Sequence, residues 1–212
     1  MFLSEKEYRH AVDLMSGREP KSRLLEELGE WFQGTFHQTL YDYICDQTNQ
    51  GRLRLRILLW DQEAKKKMMR GLNLDEKKQK KIAKEFSALC KKYNIHREYQ
   101  ESQAIFVSYE TLADEIRKRL LKQVSGEIQN LREPDVWRIE ILFDTIHVFF
   151  ETEDQRRDHE ADGTCERINQ KMTDIVRKAD KMGVFQDGVK CIFSSRQTLD
   201  EKYNGSMFYY SR

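Results

Sequence analysis

One pattern of elements, helix then strand or hairpin then helix then strand, occurs twice along the 212-residue chain. Ile82, Phe86 and Leu89 have the spacing of one helical face, and Ile168, Met172 and Ile175 repeat it 86 residues later. Ile105-Phe106-x-Ser108-x-x-Thr111-Leu112 returns as Ile192-Phe193-x-Ser195-x-x-Thr198-Leu199 at a shift of 87, and Arg56-Ile57-Leu58 lines up with Glu140-Ile141-Leu142 at 84. Three segments in one order at nearly one offset predict an internal duplication. Two repeats are too few for a solenoid. The expectation is an α+β fold in which two related helix–strand(s)–helix–strand units form a pseudo-twofold duplicated domain. Its parts are an N-terminal short helix over 1–20, a first repeat over 21–107 and a second over 108–212.

Local signals supply the elements. Ser4 and Glu7 form an S-x-x-E capping box for a helix that stops near Gly17. A longer helix is predicted from Pro20, with Leu24, Leu28, Trp31, Phe32, Phe36, Leu40 and Ile44 on one face and Asn49-Gln50-Gly51 as its end. Alternation from Arg52 to Trp60 reads as a strand with Leu53, Leu55, Ile57 and Leu59 inward. Helices follow at about 75–93, after a Ser108 cap, and at about 164–182; strands follow at 104–107, 136–143, 146–150 and 189–194. Ser206 to Tyr210 reads as a closing strand.

Composition narrows the function classes. Hydrophobic residues make up 39%, enough for a real core, and two prolines argue against disorder. The N-terminus lacks a basic region followed by an apolar run, and no window reaches the roughly 18 apolar residues of a membrane span. A soluble, cytoplasmic protein without a membrane partner is expected. Cys45, Cys90, Cys165 and Cys191 form no CxxC pair, so they read as small buried hydrophobes in a reducing compartment rather than a zinc site. No phosphate loop, dinucleotide fingerprint, nucleophile elbow or HExxH occurs, and no cofactor, metal site or catalytic residue is assigned.

The net charge of +1 hides a regional asymmetry. Asp61 to Gln100 holds twelve Lys or Arg against six acids. Arg52, Arg54 and Arg56 alternate on one strand face, and with Lys65, Lys66 and Lys67 they could track phosphates, although a solvated face explains them more simply. Arg132 to Asp162 holds ten acids against four arginines. Glu151, Glu153, Asp154, Asp158, Glu160 and Asp162 cluster in one predicted loop. This loop could dock a basic protein, could ligate a metal with His159, or could simply be solvated. Asp144 and His147 sit near a predicted hairpin turn, where an acid–base pair and a plain turn are both readings. His10, His37 and His96 show no pairing in the sequence. Tyr203, Phe208, Tyr209 and Tyr210 form a candidate aromatic contact surface.

Over about residues 109–212, the order helix, two strands, long helix, two strands, with its acidic loop and Phe-Tyr-Tyr end, resembles small bacterial immunity proteins that neutralise secreted nuclease toxins. The resemblance implies a non-catalytic inhibitor that binds its toxin through acidic and aromatic surfaces. A protein-interaction module with another protein as partner is therefore the first expectation. Nucleic-acid binding by the basic first repeat is the second, and an uncharacterised enzyme or metal-binding protein is the third.

Overall fold

The computed structural model describes residues 3–100 and 104–211. The fold is mixed α+β and divides into two compact units, Met1–Glu115 and Ile116–Arg212. The division falls later than the expected 107/108 boundary, and the N-terminal helix belongs to the first unit.

The first unit begins with α1 (Glu5–Met15), which carries the expected capping box, and α2 (Arg23–Phe36), capped by Ser22. Helix α2 does not continue to Asn49. His37 takes the left-handed conformation (φ 54°) and ends it, and the chain turns into strand β1 (Asp42–Gln47). Tyr43, Ile44 and Cys45 suit a strand better than a helix. Asn49-Gln50-Gly51 is thus the turn of a hairpin leading to β2 (Leu53–Leu59). The lysine-rich stretch then folds as α3 (Gln62–Met68), capped by Asp61, and a small hairpin of β3 (Met69–Arg70) and β4 (Asn73–Leu74). Helix α4 (Glu76–Tyr93), short α5 (Arg97–Gln100) and β5 (Phe106–Thr111) follow. β2 is the middle strand, antiparallel to β1 and parallel to β5. Leu55, Ile57 and Leu59 join Val107 and Tyr109 in a core with Leu24, Leu28 and Phe32 of α2 and Ile82, Phe86 and Leu89 of α4.

Helix α6 (Leu112–Gln129) leads into the second unit. Ser108 lies inside β5 and does not cap α6; Thr111, the last strand residue, donates to Asp114 at 2.5 Å instead. Strands β6 (Val136–Leu142) and β7 (Thr145–Phe150) make a hairpin, then come α7 (Glu153–Ala161), α8 (Thr164–Ala179), β8 (Cys191–Ser195), α9 (Arg196–Tyr203) and α10 (Met207–Tyr210). β7 is the middle strand, antiparallel to β6 and parallel to β8. Ile146, Val148, Phe149 and Phe150 are buried in it, and α8 buries Ile168, Met172 and Val176. The expected closing strand at 206–210 is helical. Asn204 and Gly205, both at positive φ, end α9, and Ser206 caps α10.

The two three-stranded sheets share strand order and strand directions. The sequence match of Arg56–Leu58 with Glu140–Leu142 nevertheless sets a middle strand against an outer one. Ser108 and Ser195 are likewise not equivalent: Ser108 pairs with Arg56, whose side chain points away from the apolar core, whereas Ser195 pairs with buried Phe150 and caps α9. An odd slip in register exchanges the faces of a strand.

Side chains occupy one backbone group on each outer strand of the first sheet, and one outer strand of the second is bulged. The Tyr43 N–H donates to Asp42 Oδ1 (2.7 Å), the Gln79 amide donates to the Val107 carbonyl (3.0 Å), and β6 is bulged between Val136 and Arg138.

Candidate functional site

The acidic stretch of the second unit is a helix rather than a loop. Thr152 accepts from the Gln155 N–H and the Gln155 side chain caps Thr152 in return, a capping box that starts α7. Helical spacing brings arginines to the acids. Arg156 reaches Glu153 and Glu160, each at 2.9 Å, and Arg196 lies 3.5 Å from Glu151. Partial burial works against ionisation of Glu153, but the Arg156 guanidinium, the Thr198 hydroxyl and Arg157 together outweigh it and hold the carboxyl below its ordinary value. Asp162 accepts from the Thr164 N–H (2.8 Å) and is also held low, chiefly by Thr164. His159 turns its Nε2 to Asp135 (3.0 Å). Among the described residues, no group of three His, Cys, Asp or Glu is arranged to hold a metal ion. Asp154 is 92% exposed with only a distant contact to Arg157 (3.9 Å), and Asp158 has no ion pair among the described residues. Two of the six predicted acids are thus largely free for an outside partner.

The aromatic end splits into an anchor and a displayed pair. Tyr210 packs at right angles on His147 (centroids 5.3 Å apart) and also against Phe149 and Tyr203. Its hydroxyl is 3.1 Å from His147 Nδ1. Burial and the nearby Lys190 depress the His147 pKa, and burial raises that of Tyr210. With Tyr210 turned inward, the next rings face solvent. Phe208 is 57% and Tyr209 58% exposed, edge to face with each other. His147 therefore pairs with Tyr210 and not with Asp144, which accepts from Thr145 beside the hairpin tip.

In the first unit, the arginine row is neutralised internally. Arg54 makes two 2.6 Å hydrogen bonds to Asp46. Arg56, with a side chain only 3% exposed, meets Glu7 (3.0 Å), Glu110 (3.4 Å) and Asp46 (3.5 Å). Neither can track phosphates without breaking these pairs. Arg52 stays at the surface over the Phe106 ring (5.8 Å). Lys65, Lys66 and Lys67 lie in the last turn of α3, where the helix dipole favours cations, and Lys66 pairs with Glu63 (2.7 Å).

Two pairs joined across long sequence separations escaped the sequence. His10 Nδ1 is 2.8 Å from Asp42 Oδ2, and Tyr43 OH is 3.2 Å from His96 Nε2. Desolvation raises the Asp42 carboxyl, with His10 and the Tyr43 N–H opposing it; burial likewise raises the Tyr43 hydroxyl. His96 sits at φ 46° against both the Phe86 and Tyr99 rings, which also touch each other. Both pairs line a cavity of about 710 Å³ between α1 and β1. An imidazole oriented by a buried carboxylate can shuttle protons, yet among the described residues no hydroxyl or thiol hydrogen-bonds to His10. Their evident work is to tie α1 and the α4–α5 turn to β1. No sequence signal marks pairs that only the tertiary fold creates.

The four thiols are free, and burial pushes Cys90 and Cys165 up to about 11 and Cys191 to about 12. No helix among the described residues is long and apolar enough to cross a membrane. Comparison with known proteins finds no matching family model, no significantly similar curated protein and no significantly similar solved structure.

Proposed function

We propose that this chain is a non-catalytic protein-interaction module whose second unit docks a basic partner protein, in the manner of a bacterial immunity-type inhibitor. The observation that carries this reading is the displayed pair on α10. Phe208 and Tyr209 are more than half exposed, while Tyr210 on the same helix is fastened to His147, Phe149 and Tyr203. Exposed aromatics on a fastened support lose little conformational freedom on binding, which favours them as anchors. Asp154, 92% exposed with only a 3.9 Å contact to Arg157, and exposed Asp158 supply negative charge on α7 in the same unit and would orient a cationic partner. A reducing, cytoplasmic setting accords with the four free thiols.

The duplication belongs to the same proposal. Its support is a recurring arrangement where the parallel strands end. After middle strand β2, Asp61 caps α3, and Gln62 donates to Asp114 (2.5 Å) and Thr111 (3.4 Å). After middle strand β7, Thr152 caps α7, and Glu153 accepts from Thr198 (3.2 Å) and Ser195 (3.4 Å). Thr111 and Ser195 each end their parallel strand, and Asp114 and Thr198 each lie three residues further on. The carboxylate stands on one partner in the first unit and on the other in the second. In this register, Leu55, Ile57 and Leu59 correspond to Ile146, Val148 and Phe150, all apolar and core-facing.

The test is affinity capture with the wild-type chain, a Phe208→Ala/Tyr209→Ala variant and an Asp154→Lys/Asp158→Lys variant. One stoichiometric basic protein, lost with the aromatic variant and weakened by charge reversal, is expected. Retention of that protein by both variants would remove the proposed surface.

A further inference from the structure

The first unit has a second charged surface that the neutralised arginine row does not account for. Beside outer strand β5 lies a groove of about 770 Å³ lined by Arg52, Lys80, Lys84, Ser87 and Lys91. Lys80, Lys84, Ser87 and Lys91 fall at steps of four, three and four along α4, so they form one stripe on the helix. At 1.5 Å rise per residue, the stripe runs about 16 Å. Between Lys80 and Lys91 the stripe carries no carboxylate. Among the described residues, Arg52, Lys80, Lys84 and Lys91 have no ion pair, whereas Arg54, Arg56, Lys66, Lys78 and Lys92 all meet carboxylates within 4.0 Å. Glu76, one step of four before Lys80, is the one acid among the described residues that lines the groove.

We propose that this groove binds single-stranded nucleic acid, with the lysine stripe following the phosphates. A row of cations about 16 Å long spans several backbone charges of one strand. Arg52, held over the Phe106 ring at 5.8 Å, adds a planar cation at one side of the groove. Lysine ammoniums are point charges that take any phosphate orientation, so the site reads charge and strand shape but not sequence. The groove is built from residues of the first unit alone, and the inference does not depend on the role proposed for the second.

The probe is a fluorescently labelled single-stranded oligonucleotide of about 12 nucleotides, followed by anisotropy with the full chain. With three or four phosphates neutralised, log K should fall against log salt with a slope of about −2 to −3, a loss of roughly 20- to 60-fold between about 50 and 200 mM. Lys80→Glu/Lys84→Glu/Lys91→Glu should abolish binding, while Lys65→Glu/Lys66→Glu/Lys67→Glu on α3 should leave it unchanged. Lys84→Gln alone, with far-UV circular dichroism as a check on α4, should weaken binding without altering the fold. Three results would overturn the proposal: no binding at about 50 mM salt, binding that survives the stripe reversal, or an oligoglutamate of equal charge binding as tightly as the oligonucleotide.

Discussion

Replacing Asp46 by alanine tests whether the arginine row is structural. Asp46 takes both hydrogen bonds from Arg54 and lies 3.5 Å from Arg56. The Arg54 side chain is 12% exposed, that of Arg56 3%, and that of Asp46 28%. Breaking a fully buried ion pair costs about 3–5 kcal/mol, and an exposed one under about 1 kcal/mol. Arg56 keeps Glu7 and Glu110, and Asp46 is partly solvated, so the cost should fall between these limits, at about 2–3 kcal/mol. Urea denaturation followed by circular dichroism measures it. The cycle of Asp46→Ala, Arg54→Ala and the double variant should show a coupling of about 1–2 kcal/mol. A loss below about 0.5 kcal/mol would mean the pair behaves as surface charge, and the claim that Arg54 and Arg56 are unavailable to phosphates would fall.

Gly29→Ala and Gly34→Ala should each stabilise the first unit by about 0.5–1 kcal/mol, because both lie inside α2 with nothing within 4 Å of an added Cβ; unchanged urea midpoints would contradict this. Phe143 stands at the β6–β7 tip with φ 60° and 76% exposure, so Phe143→Asn should raise stability by about 0.5–1 kcal/mol as left-handed strain is relieved. His147 has a folded-state pKa below its ordinary 6.5, so the unfolded chain takes the proton first as pH falls. Its contribution to stability is complete above 6.5 and is lost as pH drops from there to the lowered folded value. His147→Gln should flatten that part of the urea midpoint against pH, and a slope matching wild type would assign it to other groups.

Much of the fold was legible because periodicity and caps are local. The Ser4 box, the α4 stripe of Ile82, Phe86 and Leu89, and the alternation in β2 all stand as read. The failures arose where one residue changed the local rule. Leu40 and Ile44 continue the apolar spacing of α2, but His37 at φ 54° ends the helix before them. Phe208-Tyr209-Tyr210 has strand-like composition, yet Asn204-Gly205 and the Ser206 cap leave room for one helical turn. The candidate surfaces were legible only as composition. Which acids are free depends on where Arg156 and Arg196 land, and which cations are free depends on Asp46, Glu7 and Glu110 reaching β2 from three other elements.

The side chains that occupy backbone groups of β1 and β5 narrow how a partner can be recognised. A protein that joined the first sheet by adding a strand would find the Tyr43 donor taken by Asp42 along β1 and the Val107 acceptor taken by Gln79 along β5. At β6 of the second sheet it would meet a bulge that breaks regular pairing. Recognition by side chains on helices avoids these edges, and there single substitutions can retune a contact without disturbing a sheet. Such a surface can change its partner quickly while the framework beneath it stays the same.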